Sequence, residues 1–180
     1  MFALKIDEGL ELRLLERRHA QLLFDLTVQN REHLRPFLPW VPTIEAVSQT
    51  ESYIRAGLEQ FARNDGFQAG IFLNGELVGA AGLHYIRSER TELGYWLAER
   101  VQGKGVMTRT VAGLCRYCFD DLELGRVEIR CAVANARSRR VPEKLGFTQE
   151  GVLRRMEKLE GGPSDSVVYG LLRGEGPRTP

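Results

Sequence analysis

The sequence has no excess of charge of either sign and no long hydrophobic run. Its 180 residues include 25 Lys and Arg against 24 Asp and Glu, so the formal net charge is +1. A nearly neutral chain has no general electrostatic attraction to nucleic acid or to an anionic membrane. No stretch approaches the roughly eighteen apolar residues of a transmembrane helix, and the N-terminus lacks the cleavage site of a signal peptide. We therefore expect a cytoplasmic protein that binds neither nucleic acid nor membrane.

Cysteine is scarce, which excludes a disulfide framework. The three cysteines are Cys115, Cys118 and Cys131, and an odd number does not suit a set of disulfides. Cys115 and Cys118 form a C-x-x-C, but the same helical face carries apolar residues and no second Cys or His pair completes a zinc site. We interpret all three as small core residues and predict no metal site.

Length and hydrophobic periodicity indicate one α/β domain. We predict a single domain over residues 1–174 and a flexible tail over 175–180. The periodicity predicts strands over 11–15, 67–73, 77–85, 91–98, 127–133, 147–154 and 166–172. Helices are predicted over 17–28, 104–122 and 138–145. A further helix is predicted to begin at the N-cap Thr43 and to end near 64–66. Tight connections at 74–75 and 87–90 make the three central strands antiparallel, and the helix after the third predicts a parallel crossover. The expected fold is a mixed, mostly antiparallel, twisted sheet of about seven strands flanked by helices.

The most informative short motif is a glycine loop, 102-QGKGVM-107, between a predicted strand and a predicted helix. The first amides of a helix have no partners inside the helix, and glycines let an anion approach the backbone closely. The loop lacks the upstream glycine and the Ser or Thr after the lysine that a P-loop has, and it is an incomplete dinucleotide fingerprint. Taken alone, the loop is more consistent with an ordinary turn before a helix than with a ligand site, because short motifs of this kind often match by chance.

A second segment in the next βα unit, 135-NARSRRVPEKLGF-147, changes that interpretation. Together with the glycine loop it resembles the GCN5-related N-acetyltransferase (GNAT) superfamily over nearly the whole chain. The segments 38-LPWV-41, 92-ELGYWL-97 and 165-DSVVYGLL-172 are similar to its ribosomal-protein N-terminal acetyltransferase branch, whose members modify the α-amine of serine or alanine. Each motif is weak alone, and their order carries the resemblance.

The resemblance implies acetyl-CoA as the cofactor and assigns residues to it. Asn135 would hydrogen-bond the pantetheine arm, and the backbone around Leu97 would pair with that arm like an added strand. The pyrophosphate would meet the backbone amides of Gln102, Gly103, Lys104, Gly105, Val106, Met107 and Thr108.

Two positions depart from the superfamily pattern. Met107 replaces the small residue that ends the loop motif, so we expect its side chain to point into the core. Pro142 stands where many members have a tyrosine that serves as the general acid, and proline has no proton to donate. We expect Pro142 to be tolerated because it would lie near the first turn of a helix that begins at Ser138.

The chemistry needs a base for the attacking amine and a donor for the leaving sulfur. Glu92 is the predicted base, and His84 is its rival. The simplest hairpin register pairs Tyr85 with Glu92 and sends His84 to the opposite face, although a bulge would reverse this. Ser138 is the predicted donor, with the role of helix N-cap as a compatible alternative.

Trp40 and Tyr95 are the predicted acceptor contacts. Trp40 stands between prolines and would form a stiff aromatic wall, or it would simply pack its loop against the following helix.

We therefore predict an acetyl-CoA-dependent N-acetyltransferase acting on a protein N-terminal amine, such as that of a ribosomal protein. A polyamine or aminoglycoside acetyltransferase, a non-catalytic acyl-CoA-binding module and a nucleotide-binding protein stay open as alternatives, in that order. Homodimerisation is also left open.

Overall fold

Eight strands form a single sheet in the computed structural model, which describes residues 3–177. In chain order the strands are β1 Ala3–Asp7, β2 Leu10–Leu14, β3 Gly66–Leu73, β4 Glu76–Arg87, β5 Arg90–Leu97, β6 Arg126–Ala132, β7 Thr148–Leu159 and β8 Gly162–Leu172. Their spatial order is β1-β2-β3-β4-β5-β6-β8-β7. Neighbours are antiparallel except for the parallel pair β5 and β6. The predicted mixed, mostly antiparallel sheet is thus confirmed.

Five helices flank this sheet within the described residues. They are α1 Ala20–Gln29, α2 Arg31–Leu34, α3 Val47–Ala62, α4 Val106–Arg116 and α5 Ala136–Leu145. Helix α3 covers one face of β3, where Gly57 lies against Gln68. Helix α5 covers the opposite face, where its residues hydrogen-bond Tyr95 of β5 and Tyr169 of β8. Helix α4 makes the crossover from β5 to β6, as predicted for a parallel pair.

Several predicted boundaries are wrong, and the reasons are local. Strand β1 was not predicted; it is a short edge strand in which only four residues pair with β2. Thr43 does not cap α3; the helix begins after Ala46, whose N–H donates to Gln49 Oε1 at 2.9 Å. Ser138 is not the cap of α5, since that helix begins two residues earlier, after Asn135.

The core runs the length of the sheet and contains all three cysteines. Cys115, Cys118 and Cys131 are free and buried, which confirms the interpretation as core residues. Met107 is 8% exposed and belongs to the same core, as predicted from its helical spacing. Within residues 3–177 no helix is long and apolar enough to cross a membrane. Residues 178–180 of the predicted tail lie outside the described part of the chain.

Candidate active site

The sheet opens into a slot between its two parallel strands. Strands β5 and β6 pair only at Arg90 with Arg126, Thr91 with Val127 and Glu92 with Glu128. From Leu93 and Ile129 onward the strands continue without pairing to each other, so backbone groups along β5 face the gap. The six residues of extended strand from Glu92 to Leu97 span about 16 Å, at about 3.3 Å for each step. The slot can therefore take an extended chain that adds to the edge of β5.

The glycine loop stands at the open end of this slot. Strand β5 ends at Leu97, one turn of 3-10 helix follows, and α4 begins at Val106 with Gly105 as its N-cap. Gly103 and Gly105 have φ angles of 74° and 73°, in the left-handed region that favours glycine. No side chain caps this helix end, and a Cβ at either glycine would meet open space. The loop therefore presents uncapped helix amides to an approaching anion.

The side chain of Gln102 holds the loop against the rest of the site. Its Nε2 lies 2.6 Å from His33 Nε2 and donates to the Leu97 carbonyl at 3.3 Å. Its Oε1 accepts a hydrogen bond from Arg137 of α5 at 3.2 Å. The Gln102 amide therefore connects the loop between β5 and α4 with helix α5. Gln102 thus fixes where β5 ends and the loop begins.

Glu92 lies at the closed end of the slot in a cluster of charges. Its carboxylate is 3.5 Å from Arg130 Nε, and Arg130 also pairs with Glu128 at 2.7 Å. Burial raises the pKa of Glu92, Arg130 opposes that rise, and the charges of Glu128 and Glu157 add to it. A carboxyl with a raised pKa is a stronger base than an ordinary surface glutamate.

His84 lies directly opposite Glu92, so its predicted placement on the other face is wrong. Strands β4 and β5 pair His84 with Glu92, and the register then shifts before Arg87. Tyr85 absorbs this irregularity with a φ of 55°. The bulge carries Tyr85 out of the register that a simple hairpin would impose.

The surroundings of His84 determine which of its ring nitrogens faces the site. Nδ1 lies 3.4 Å from Gln68 Nε2, and Gln68 Oε1 accepts a hydrogen bond from Tyr53 at 2.9 Å. A Cβ on Gly94 would lie 2.8 Å from His84 Nε2, so the glycine leaves room for that nitrogen. Burial lowers the pKa of His84, which keeps the imidazole neutral at neutral pH.

On the other face of β5, Tyr95 and Ser138 meet beside Cys131. Tyr95 Oη donates to the Ser138 carbonyl at 3.1 Å, and Ser138 Oγ donates to Tyr95 Oη at 3.4 Å. Ser138 Oγ is also 3.2 Å from Cys131 Sγ. Burial raises the pKa values of Tyr95 and Cys131, so both stay protonated. The structure thus joins Ser138 to the slot between β5 and β6.

Pro142 occupies the interior of α5, and the expectation that it lies near the first turn is wrong. The helix begins at Ala136, so Pro142 is its seventh residue. A proline there removes the hydrogen bond to the carbonyl four residues earlier, which is Ser138. The hydroxyl of Tyr95 supplies that missing donor.

Two further predicted residues lie at the margins of the site. Asn135 accepts a hydrogen bond from Ser138 N at 3.1 Å and so caps α5, which leaves its Nδ2 group free to donate. Trp40 is 41% exposed in the loop between α2 and α3 and is not part of the core. The predicted contacts of Trp40 and Tyr95 with the acceptor stay predictions.

Sequence reasoning missed Arg130, Glu157 and Gln68. Each of these polar residues lies in a strand, and the sequence pattern alone does not show which face of the sheet its side chain is on. Arg130 and Glu128 alternate with buried residues along β6, which is the one pattern that could have indicated a polar face toward Glu92. Among residues 3–177 no group of three or more His, Cys, Asp or Glu side chains is arranged to hold a metal ion.

Comparison with known proteins gives this geometry a context. Residues 9–148 match the model of the acetyltransferase (GNAT) domain family. YdaF of Bacillus subtilis (strain 168), named a provisional ribosomal N-acetyltransferase, is 37% identical over 97% of both chains.

Two solved structures share the fold at 25% identity. One is RimL, a ribosomal L7/L12 alpha-N-protein acetyltransferase in complex with coenzyme A, with a TM-score of 0.92 over 95% of this chain and 98% of its own. The other is the microcin C7 self-immunity acetyltransferase MccE in complex with acetyl-CoA and AMP, with a TM-score of 0.89 over 93% and 94%.

Proposed function

The chain belongs to the acetyltransferase (GNAT) domain family, and from this premise we propose that it acetylates the N-terminal α-amine of a protein, such as a ribosomal protein. It is an N-acetyltransferase that uses acetyl-CoA. One observation carries the proposal: the slot between β5 and β6 has the glycine loop at its open end and Glu92 at its closed end. A cofactor held along this slot brings its thioester to the base.

The residues of the slot fit the cofactor. The uncapped amides of α4, at the glycine loop, suit the pyrophosphate. The unpaired edge of β5 offers backbone groups to the amides of the pantetheine arm. The free Nδ2 of Asn135 suits an acceptor on the same arm.

The reaction is a direct transfer. The neutral amine attacks the thioester carbonyl carbon, Glu92 takes the amine proton, and the carbon–sulfur bond breaks as the amide forms. The coenzyme A thiolate leaves with a hydrogen bond from Ser138 Oγ, which stands in for the absent tyrosine at position 142. A free α-amine has a pKa of about 7.7–8.0, so a base such as Glu92 with a raised pKa is sufficient.

His84 acts as a hydrogen-bond donor in this proposal. Gln68 Oε1 accepts from Tyr53, so its Nε2 donates toward His84 Nδ1. A neutral imidazole that accepts at Nδ1 carries its proton on Nε2, the nitrogen that faces the space above Gly94. Glu92 is then the base, and His84 can stabilise the developing oxyanion.

A small amine is the second candidate acceptor. Glu92, Glu128 and Glu157 place three carboxylates near one another, which suits a cationic amine. MccE, which shares this fold, is named a microcin C7 self-immunity acetyltransferase, a name that mentions no ribosomal protein. Arg130 offsets much of that negative charge, which favours a single α-amine over a polycation.

The test is the Glu92→Gln variant assayed by thiol release from acetyl-CoA. Peptides that begin with serine or alanine are compared with spermidine and an aminoglycoside. We expect turnover on the peptides and a fall in kcat of about 10²- to 10⁴-fold in the variant, with acetyl-CoA affinity unchanged. Glu59→Gln, on the exposed face of α3, is the matched control and should be neutral. Turnover confined to the small amines would overturn the protein acceptor, and an active Glu92→Gln would remove the base.

A further inference from the structure

A network of polar side chains extends from α3 across β3 to β4, where His84 pairs with Glu92 of β5. Its members are Tyr53, Gln60, Gln68 and His84. Gln68 lies at the centre and is 7% exposed. Its side chain passes between two glycines: a Cβ on Gly57 would lie 3.0 Å from Gln68 Cγ, and a Cβ on Gly82 would clash with Gln68 Oε1. The two glycines thus make room for a long amide side chain inside the protein.

Gln60 fixes the direction of the hydrogen bonds in this network. Its Nε2 lies 2.8 Å from the Asp65 carbonyl and 3.2 Å from the Leu83 carbonyl. A carbonyl oxygen only accepts, so the end of the Gln60 amide that faces both carbonyls has to be its NH₂ group. Gln60 Oε1 then faces Gln68, and because this oxygen also only accepts, Gln68 donates to it through Nε2 at 3.2 Å.

The same nitrogen of Gln68 reaches His84. One hydrogen of Gln68 Nε2 goes to Gln60, and the second is directed at His84 Nδ1, 3.4 Å away. His84 Nδ1 therefore accepts, and the neutral ring carries its proton on Nε2. The bond from Tyr53 to Gln68 Oε1 agrees with this direction but does not impose it, because a hydroxyl can also accept. The influence of Gln60 on the imidazole thus passes through Gln68.

We propose that Gln60 and Gln68 are positioning residues that hold His84 in the tautomer with its proton on Nε2. The inference rests on the proposed function, in which His84 Nε2 faces the space above Gly94 and donates to the developing oxyanion. The other tautomer would turn a lone pair toward the oxyanion and repel it. Glutamine has no titratable group, so the network orients the imidazole and does not carry a proton to it.

The first experiment reads the tautomer from the ¹⁵N chemical shifts of the imidazoles, at a pH where His84 is neutral. The protein has three histidines, and the signals of His84 are those missing from His84→Ala. In the unchanged protein we expect an unprotonated Nδ1 and a protonated Nε2. Gln60→Met and Gln68→Met should each bring the two shifts closer together, because the second tautomer becomes populated. Gln21→Met, on the exposed face of α1, is the matched control and should leave both shifts in place.

The second experiment measures the effect of the tautomer on acetyl transfer. Thiol release gives kcat with the acceptor that the unchanged enzyme uses fastest, whether a peptide or a small amine. Gln60→Met should lower kcat by about threefold to thirtyfold, less than the loss of about 10²- to 10³-fold when an oxyanion donor is removed. The Kd for acetyl-CoA should not change. In a His84→Ala background, Gln60→Met should have no further effect on kcat, because its influence passes through the imidazole.

The two readouts separate this inference from the proposed function. A proton on Nδ1 in the unchanged protein overturns the inference, and this measurement needs no variant. Shifts that stay in place in both Met variants also overturn it, as does an equal fall of kcat for Gln60→Met with and without His84, which is the result of a purely structural role. Turnover of small amines alone overturns the protein acceptor and leaves the tautomer assignment standing.

Discussion

At the scale of single residues, the site depends on how Arg130 shares its charge. Its guanidinium contacts Glu92 at 3.5 Å and Glu128 at 2.7 Å, and Glu128 is held in turn by Arg126 at 2.9 Å. The shorter contact with Glu128 leaves Glu92 only partly neutralised. Glu92 therefore keeps a pKa above its ordinary value, while Arg130 keeps it from rising further. Arg130 acts through Glu92, as a positioning residue.

This arrangement predicts a shift of the pH profile in Arg130→Gln. Glu92 must be ionised to accept the amine proton, so kcat/KM falls as pH drops through its pKa. Removal of the Arg130 charge deletes the one influence that lowers this pKa. We expect the acid limb of the profile to move to higher pH, so that more activity is lost at the acid end of the profile than at its alkaline end. The measurement is kcat/KM against pH at saturating acetyl-CoA.

The control for this shift is Arg100→Gln. Arg100 pairs with Glu76 on the surface, away from the cluster, and its loss should leave the acid limb in place. An equal loss of activity at every pH in Arg130→Gln would mean that Arg130 supports the structure without acting on the pKa of Glu92.

The residues of this site were predictable to different degrees. Glu92 could be predicted because alternation places it on one face of β5 with Gly94 and Trp96. His84 was misplaced because its face depends on one irregular residue, Tyr85, whose positive φ leaves no mark in the sequence. A shift of one residue in register moves every side chain of a strand to the other face of the sheet. A prediction that misses the shift therefore places each of those side chains on the wrong face.

At the scale of the element, α5 contains a proline that the rest of the site accommodates. Pro142 leaves the Ser138 carbonyl without its helical donor, and Tyr95 from β5 supplies one at 3.1 Å. The same hydroxyl accepts a hydrogen bond from Ser138 Oγ. Because of this proline, the conformation of Ser138 in α5 depends on Tyr95, a residue of strand β5.

A double-mutant cycle tests this dependence. Tyr95→Phe should lower the free energy of unfolding by about 1–3 kcal/mol, since it leaves a partly buried carbonyl unpaired. In a Pro142→Ala background the restored N–H satisfies the same carbonyl, and the effect of Tyr95→Phe should be smaller. Denaturant unfolding of the four proteins measures the interaction energy.

The cycle also has a readout in catalysis. Ser138→Ala should slow kcat in either background if Ser138 Oγ donates to the leaving sulfur. Equal effects of Tyr95→Phe on unfolding with and without Pro142 would show that the two residues do not share the carbonyl.

The elements themselves followed from periodicity more reliably than their ends did. Strands β3 to β6 and helix α4 lie where alternation or helical spacing predicted them. The ends of the helices depend on single hydrogen bonds. Examples are the bond from Ser138 N to the Asn135 side chain at α5 and the bond from Ala46 N to the Gln49 side chain at α3. In each case a neighbouring residue could have formed the cap instead. The resemblance of motifs predicted the roles of these elements, which periodicity could not.

At the scale of the whole molecule, the slot between β5 and β6 divides the sheet. The parallel pairing of these strands could be predicted from the intervening helix. The length of that pairing could not, because no residue pattern marks where two parallel strands stop contacting each other. Only three residue pairs join the two parts of the sheet directly. A cofactor that spans the slot should therefore act as an additional link between β5 and β6.

This geometry predicts where bound acetyl-CoA slows amide hydrogen exchange. At one hundred times its Kd, a ligand of the folded state adds about 2.7 kcal/mol to the free energy of unfolding, and all globally exchanging amides gain equally. Amides on the slot edge of β5 between Leu93 and Leu97, and those of Val106 to Thr108 at the start of α4, should gain further protection because they contact the cofactor directly. Amides of β3, which pair on both sides with β2 and β4, serve as the internal control. Uniform protection across β3 and β5 would mean that the cofactor does not lie along the slot, and the glycine loop would then have to bind it in another direction.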